Sequence, residues 1–222
     1  MGESPKARTA FLSHLVLRSL GEAPVDALVL KDRQVAARAR EDLAAQLNIS
    51  EDPQILVLDL AGITLTPTTM QEFLLPLAQR IRGGEYGTVR LVVTTADPGV
   101  SDFVRYMAQA HQLPLYLSFS PLDLHEAMPV GGLTRTEIST LDTVFALGGH
   151  VTASVLAEAA GIGPSAATNR LVNLDREGYL LRQPRGRREG DLFVEPRSAT
   201  ATPMACEEWD EVTATGRALE TA

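Results

Sequence analysis

The segment from Pro164 to Glu177 has the residue types and spacing of a helix that contacts nucleic-acid bases. Ala167, Leu171 and Leu174 follow one another at i, i+4 and i+7, which predicts a helix with one buried side. The opposite side then carries small or hydrogen-bonding side chains, at Ser165, Thr168, Asn169, Val172 and Asn173. Such side chains near a helix N-terminus suit base edges in the major groove, and Asn169 suits adenine N6 and N7. The pattern therefore predicts a face that reads duplex DNA.

Arginines surround this predicted reading face. Arg170 and Arg176 flank it, where guanidinium groups suit phosphate oxygens. A second basic group is predicted at the tip of a hairpin over residues 184–190, and its members are Arg185, Arg187 and Arg188. A basic tip of this kind can lie along the DNA backbone or enter the minor groove. We expect these arginines to strengthen DNA binding.

The elements that must position the reading face are also visible in the pattern. Helices are predicted over 134–147 and 152–160, a tight turn over 161–163, and strands over 179–182 and 192–195. Residues 133–197 resemble the winged-helix domains of bacterial transcriptional regulators, including the MarR-like group, most clearly in IGPSAATNRLVNLDREGYL. Gly163-Pro164 stands where those helices often have a Ser cap followed by a basic residue. The resemblance implies a winged helix-turn-helix that binds duplex DNA, although such domains also bind proteins.

The preceding part of the chain alternates strands with helices. Strands are predicted over 26–30, 55–60, 89–95 and 115–119, and helices over 32–47, 66–82, 98–112 and 122–128. This order favours an α/β sandwich with a mostly parallel sheet. The domains expected are an N-terminal helix (1–22), the α/β domain (23–130), the winged helix (131–197) and a flexible acidic tail (198–222). Pro129-Val130-Gly131-Gly132 marks the boundary between the two larger domains.

A second resemblance lies in the α/β part. LVLDLAGITLTPTTMQEFL, which begins at Leu56, resembles the strand-to-helix core of STAS domains, the fold of anti-sigma factor antagonists. KDRQVAARAREDL, residues 31–43, resembles a helix of the uncharacterised STAS-like families. In the antagonists a Ser or Thr at the helix start is phosphorylated, so the resemblance makes Thr68, and adjacent Thr69, possible phosphoacceptors. Pro67 stands where an acidic residue normally precedes the acceptor, and Thr66 is alternatively a simple helix cap.

Charge and residue composition exclude several classes of protein. The formal net charge is −8, but residues 132–197 hold eight Lys and Arg against eight Asp and Glu, so the acidity lies elsewhere. The single cysteine, Cys206, excludes an internal disulfide and fits a reducing cytoplasm. The four histidines lie too far apart for metal-ligand spacing, and no nucleophile–base pair is visible. We therefore expect no metal, no cofactor, no enzymatic activity and no membrane segment.

Together these patterns predict a cytoplasmic transcriptional regulator that binds duplex DNA through a winged helix, most simply as a homodimer. The STAS-like domain would sense a signal, dimerise or bind a protein partner. The alternative is a signalling adaptor of the anti-sigma antagonist type, in which both domains bind proteins, and the overall acidity favours this alternative.

Overall fold

The computed structural model describes residues 6–11, 28–47, 54–120, 123–185, 190–199 and 201–203. The strands are β1 (Lys6–Phe11), β2 (Leu28–Leu30), β3 (Gln54–Asp59), β4 (Ile63–Leu65), β5 (Val89–Thr94), β6 (Leu115–Ser118), β7 (Met128–Val130), β8 (His150–Val151), β9 (Leu181–Gln183), β10 (Leu192–Val194) and β11 (Ala201–Pro203). The helices are α1 (Arg33–Leu47), α2 (Pro67–Arg82), α3 (Pro98–Ala110), α4 (Arg135–Ala146), α5 (Ala153–Ala160) and α6 (Pro164–Arg176), with a 3-10 turn at Pro196–Ser198.

A six-stranded sheet forms the centre of the molecule, in the order β11-β1-β3-β5-β6-β7. The first five strands run parallel, and β7 is antiparallel to β6. The predicted α/β class is therefore confirmed, with a sheet that is mixed because of β7. Two smaller sheets accompany it, an antiparallel β8-β10-β9 sheet and a parallel β2-β4 pair.

Two differences from the sequence prediction lie outside the predicted α/β domain. Lys6–Phe11 is a strand within the range predicted as an N-terminal helix, and the rest of that range lies outside the described residues. Ala201–Pro203, the beginning of the predicted tail, is a strand paired with β1. In both cases pairing with a distant strand outweighs a weak local preference.

Further differences concern the α/β part, where strand β4 was also not predicted. The helix predicted over 122–128 is absent from its described part, residues 123–128, which instead lead into strand β7. Pro129 has no N–H to donate, and it lies on the edge strand, where proline is tolerated. Leu28–Leu30 is a strand as predicted, but it pairs with β4 instead of joining the central sheet.

Helices α1 to α3 pack on one face of the central sheet. Their apolar side chains form one core with Leu56 and Leu58 of β3 and with Leu91 and Val93 of β5. The boundaries predicted for these helices agree with the structure within about two residues.

The opposite face of the same sheet is covered by α4 to α6 and their small sheet. Ile55, Val57, Val92 and Tyr116 point to this side and form a second core with the C-terminal elements. Side chains alternate between faces along a strand, so every position of β3, β5 and β6 is buried on one side or the other. The two parts of the chain predicted as separate domains thus share one sheet as a common layer.

Candidate nucleic-acid interface

Helix α6 presents one buried side and one exposed polar side. Ala167, Leu171 and Leu174 are fully buried against the second core. The polar residues predicted to read bases are exposed, at Ser165, Thr168, Asn169 and Asn173, and Val172 is half-buried. The structure therefore brings the predicted residues together on one accessible helix face.

The beginning of α6 leaves backbone donors available. Gly163 is the N-cap and has no side chain to accept a bond from the first-turn amides. The Thr168 hydroxyl donates to the Pro164 carbonyl at 3.0 Å, so its oxygen is left to act as an acceptor. The helix start can thus donate to an anion through its backbone, while Thr168 accepts from an amino group.

The connection between α5 and α6 is short and well packed. Gly161 adopts the left-handed conformation, with φ of 62°, at the C-cap of α5. Ile162 follows, its amide donates to the Ala157 carbonyl at 3.0 Å, and its side chain packs on the second core. The turn thereby holds the N-terminal end of α6 against α5.

The hairpin beside α6 belongs to the three-stranded sheet β8-β10-β9. Strand β8, His150–Val151, was not predicted, because a strand of two residues carries almost no periodic signal. Arg182 at its base donates to Asp191 Oδ2 at 2.7 Å, so this arginine is neutralised within the hairpin. Arg185 is half-buried, while Arg187 and Arg188 lie outside the described residues.

The two arginines that flank the reading face differ in their surroundings. Arg170 is half-buried and forms no ion pair with any residue the structure describes. Arg176 lies 3.8 Å from Glu177 in an exposed pair, an arrangement that contributes little to stability and exchanges readily with another anion. Both guanidinium groups can therefore meet phosphate.

The possible phosphoacceptors at the start of α2 are not equivalent. Thr69 is fully buried, and its hydroxyl lies 3.0 Å from the Leu30 carbonyl and closes a capping box with Thr66. Thr68 is half-exposed in the same first turn. Only Thr68 is accessible to a modifying enzyme in this conformation, and Thr66 is the helix cap.

Sequence reasoning missed two buried charged clusters between the halves of the molecule. In one, Arg90 of β5 pairs with Asp175 of α6 at 2.8 Å. In the other, Glu195 is fully buried, accepts from the Tyr116 hydroxyl at 3.2 Å and bonds to Arg197. The sequence signal for the first cluster is Arg90 itself, a charged residue within the mostly apolar strand Val89–Thr94.

Within the described ranges, no cluster of His, Cys, Asp or Glu is placed to hold a metal ion. In that same part of the chain, no helix has the length and apolar character needed to cross a membrane. The chain matches no protein-family model, no curated protein and no solved structure.

Proposed function

We propose that this protein is a cytoplasmic transcriptional regulator in which residues 131–197 form a winged helix-turn-helix that binds duplex DNA. The supporting arrangement is α4, β8, α5 and α6 followed by the β9–β10 hairpin, the element order of winged-helix proteins. Residues 23–130 serve as a STAS-like domain for sensing, dimerisation or partner binding.

The observation that carries this proposal is the exposed face of α6. Four neutral hydrogen-bonding side chains lie there, with the helix held by its buried side. In a helix placed in the major groove, Asn169 pairs with adenine, while Ser165 and Thr168 contact base edges or phosphates. One helix contacts only a few base pairs, so a homodimer on two half-sites supplies the specificity.

Substitution of Asn169 tests base reading. We expect full-length protein to enrich a short duplex motif from a random library, and Asn169→Ala to cost about 1–3 kcal/mol of preference for that motif. The measurement is fluorescence anisotropy with the selected duplex and a shuffled one. Gln109→Ala, exposed on α3, is the matched control and should bind like the parent.

Substitution of Arg187 tests the basic hairpin tip. Arg187→Ala should weaken binding to all duplexes and reduce the slope of log affinity against log salt by about one. Arg38→Ala, an exposed arginine of α1, is the control and should leave the slope unchanged. If Asn169→Ala and Arg187→Ala both bind like the parent throughout a salt titration, α6 and the hairpin do not form the DNA-binding surface.

A signalling adaptor is the second candidate, supported by the net charge of −8 and by the accessible Thr68 at a helix N-terminus. The helix dipole at that position stabilises a phosphate. The same titration separates the two functions. An absence of binding to any duplex at low salt and micromolar protein contradicts DNA binding and favours the adaptor.

A further inference from the structure

Arg90 is the single charged residue of β5, and it points towards the C-terminal half of the molecule. Its side chain is nine-tenths buried. All of its nitrogens are engaged: Nε donates to the Leu180 carbonyl, Nη1 to the Val89 carbonyl at 3.1 Å, and Nη2 to Asp175. A buried guanidinium whose three nitrogens all donate to fixed acceptors has one favoured position, because a displacement leaves buried donors unsatisfied.

Asp175 joins three elements at this point. Its Oδ1 accepts from Arg90 Nη2 at 2.8 Å and from the Arg182 amide at 3.2 Å. Arg90 belongs to the central sheet, Asp175 to the last turn of α6, and Arg182 to the first strand of the hairpin. One carboxylate therefore holds the sheet, the reading helix and the hairpin in a fixed relation.

The same guanidinium also binds the end of the helix backbone. Nη2 donates to the Asp175 carbonyl at 3.0 Å, in the last turn of the helix, where the Gly178 amide donates to the same carbonyl. The turn at Ile162 holds the other end of α6. Asn169 lies six residues, or about 9 Å, from Asp175 along the helix axis. A small tilt of α6 about Asp175 therefore displaces the side-chain amide of Asn169.

We propose that Arg90 and Asp175 are positioning residues through which the central sheet sets the placement of α6 and the hairpin on DNA. This inference rests on the proposed function and deepens it. It gives the central sheet a direct role in base discrimination, because β5 contacts the reading helix without any intervening element.

The test uses full-length protein and the duplex enriched by the parent. Arg90→Lys keeps the charge but cannot bond to Asp175, Leu180 and Val89 together. We expect the ratio of affinities for the enriched and shuffled duplexes to fall about five-fold or more, with affinity for the shuffled duplex nearly unchanged. Arg80→Lys removes the guanidinium from the Arg80–Glu41 pair on the opposite layer and is the matched control, expected to leave the ratio unchanged.

A double-mutant cycle with Asn169→Ala separates positioning from general loss of stability. If Arg90 acts by placing Asn169, Arg90→Lys has little further effect on the ratio in the Asn169→Ala background. Asp175→Asn, which preserves shape, carries the same test if Arg90→Lys does not fold. An unchanged ratio, or fully additive effects, overturns the positioning role while base reading by Asn169 stands. Failure of the parent to enrich any duplex overturns both proposals.

Discussion

Glu195 is the residue whose environment departs most from that of an ordinary carboxylate. It is fully buried next to Tyr116 and Arg197, and its Oε2 has no hydrogen-bond partner among the described residues. Burial raises the pKa of Glu195 to about 7, against the opposing effects of Arg197 and of the Tyr116 hydrogen bond. Asp142 on α4 also faces this cluster and contacts Arg197 at 3.6 Å.

The raised pKa of Glu195 predicts a stability that falls as pH rises. The native carboxyl keeps its proton until about pH 7, whereas the unfolded carboxyl loses it near 4.5. The native state is therefore penalised progressively between these two values, by about 3 kcal/mol in total. The measurement is urea unfolding at pH 5 and pH 8, with Glu195→Gln expected to flatten the dependence.

Glu126→Gln, at an exposed turn, is the control for the Glu195 experiment and should keep the pH dependence of the parent. An equal loss of stability between pH 5 and pH 8 in the parent and in Glu195→Gln contradicts the assignment of this dependence to Glu195.

Helix α2 begins with a short polar motif that has a structural role. Thr66 and Thr69 form a capping box, and Thr69 also reaches the Leu30 carbonyl of β2. The motif therefore joins the helix start to the β2–β4 pair. It explains why two adjacent threonines of similar appearance in the sequence have different roles.

Isosteric substitution at the two threonines distinguishes these roles. Thr69→Val should lower the free energy of unfolding by about 2 kcal/mol, because it removes the Thr69 hydroxyl from the capping box and its hydrogen bond to the buried Leu30 carbonyl. Thr68→Val, on the same turn, is the control and should change stability by less than about 0.5 kcal/mol. Urea denaturation followed by circular dichroism measures both, and equal effects would contradict this division.

At the scale of the whole molecule, the two halves are joined by a common sheet. The Tyr116 hydroxyl, which also contacts Glu195, lies 3.0 Å from the Tyr179 carbonyl, and the Tyr179 hydroxyl donates to the Val130 carbonyl at 3.0 Å. Gly131 has φ of 127°, and an added Cβ there would lie 2.5 Å from the Leu113 carbonyl oxygen. The backbone at the predicted domain boundary is therefore closely packed against Leu113 and Tyr179.

This shared sheet predicts a single cooperative unfolding transition. Val93→Ala, on the face covered by α1 to α3, should cost about 2 kcal/mol and lower the protection of α6 amides as much as that of β5 amides. Native-state hydrogen exchange measures both sets. Val92→Ala, its neighbour on the opposite face, is the matched variant and should give the same pattern. If Val93→Ala leaves the hydrogen-exchange protection of α6 unchanged, the two halves of the molecule unfold independently.

The elements with a local residue pattern were predictable from the amino-acid sequence alone. The i, i+4, i+7 spacing of Ala167, Leu171 and Leu174 was enough to orient α6, and branched apolar runs were enough to locate β3 and β5. These predictions succeeded because buried positions recur at a fixed interval along a helix, and because a strand buried on both faces is a continuous apolar run. The exposure of Asn169 followed from the same period.

Which elements pair or pack together depends on contacts between distant parts of the chain. β1, β7 and β11 have no distinctive residue pattern, and they form by pairing with other strands of the sheet. In β5, Val92 and Val93 are equally buried, so the sequence does not tell which faces α1 to α3 and which faces α4 to α6. Burial of Arg90 and Glu195 likewise depends on residues about 85 and 79 positions away, beyond the reach of any local periodicity.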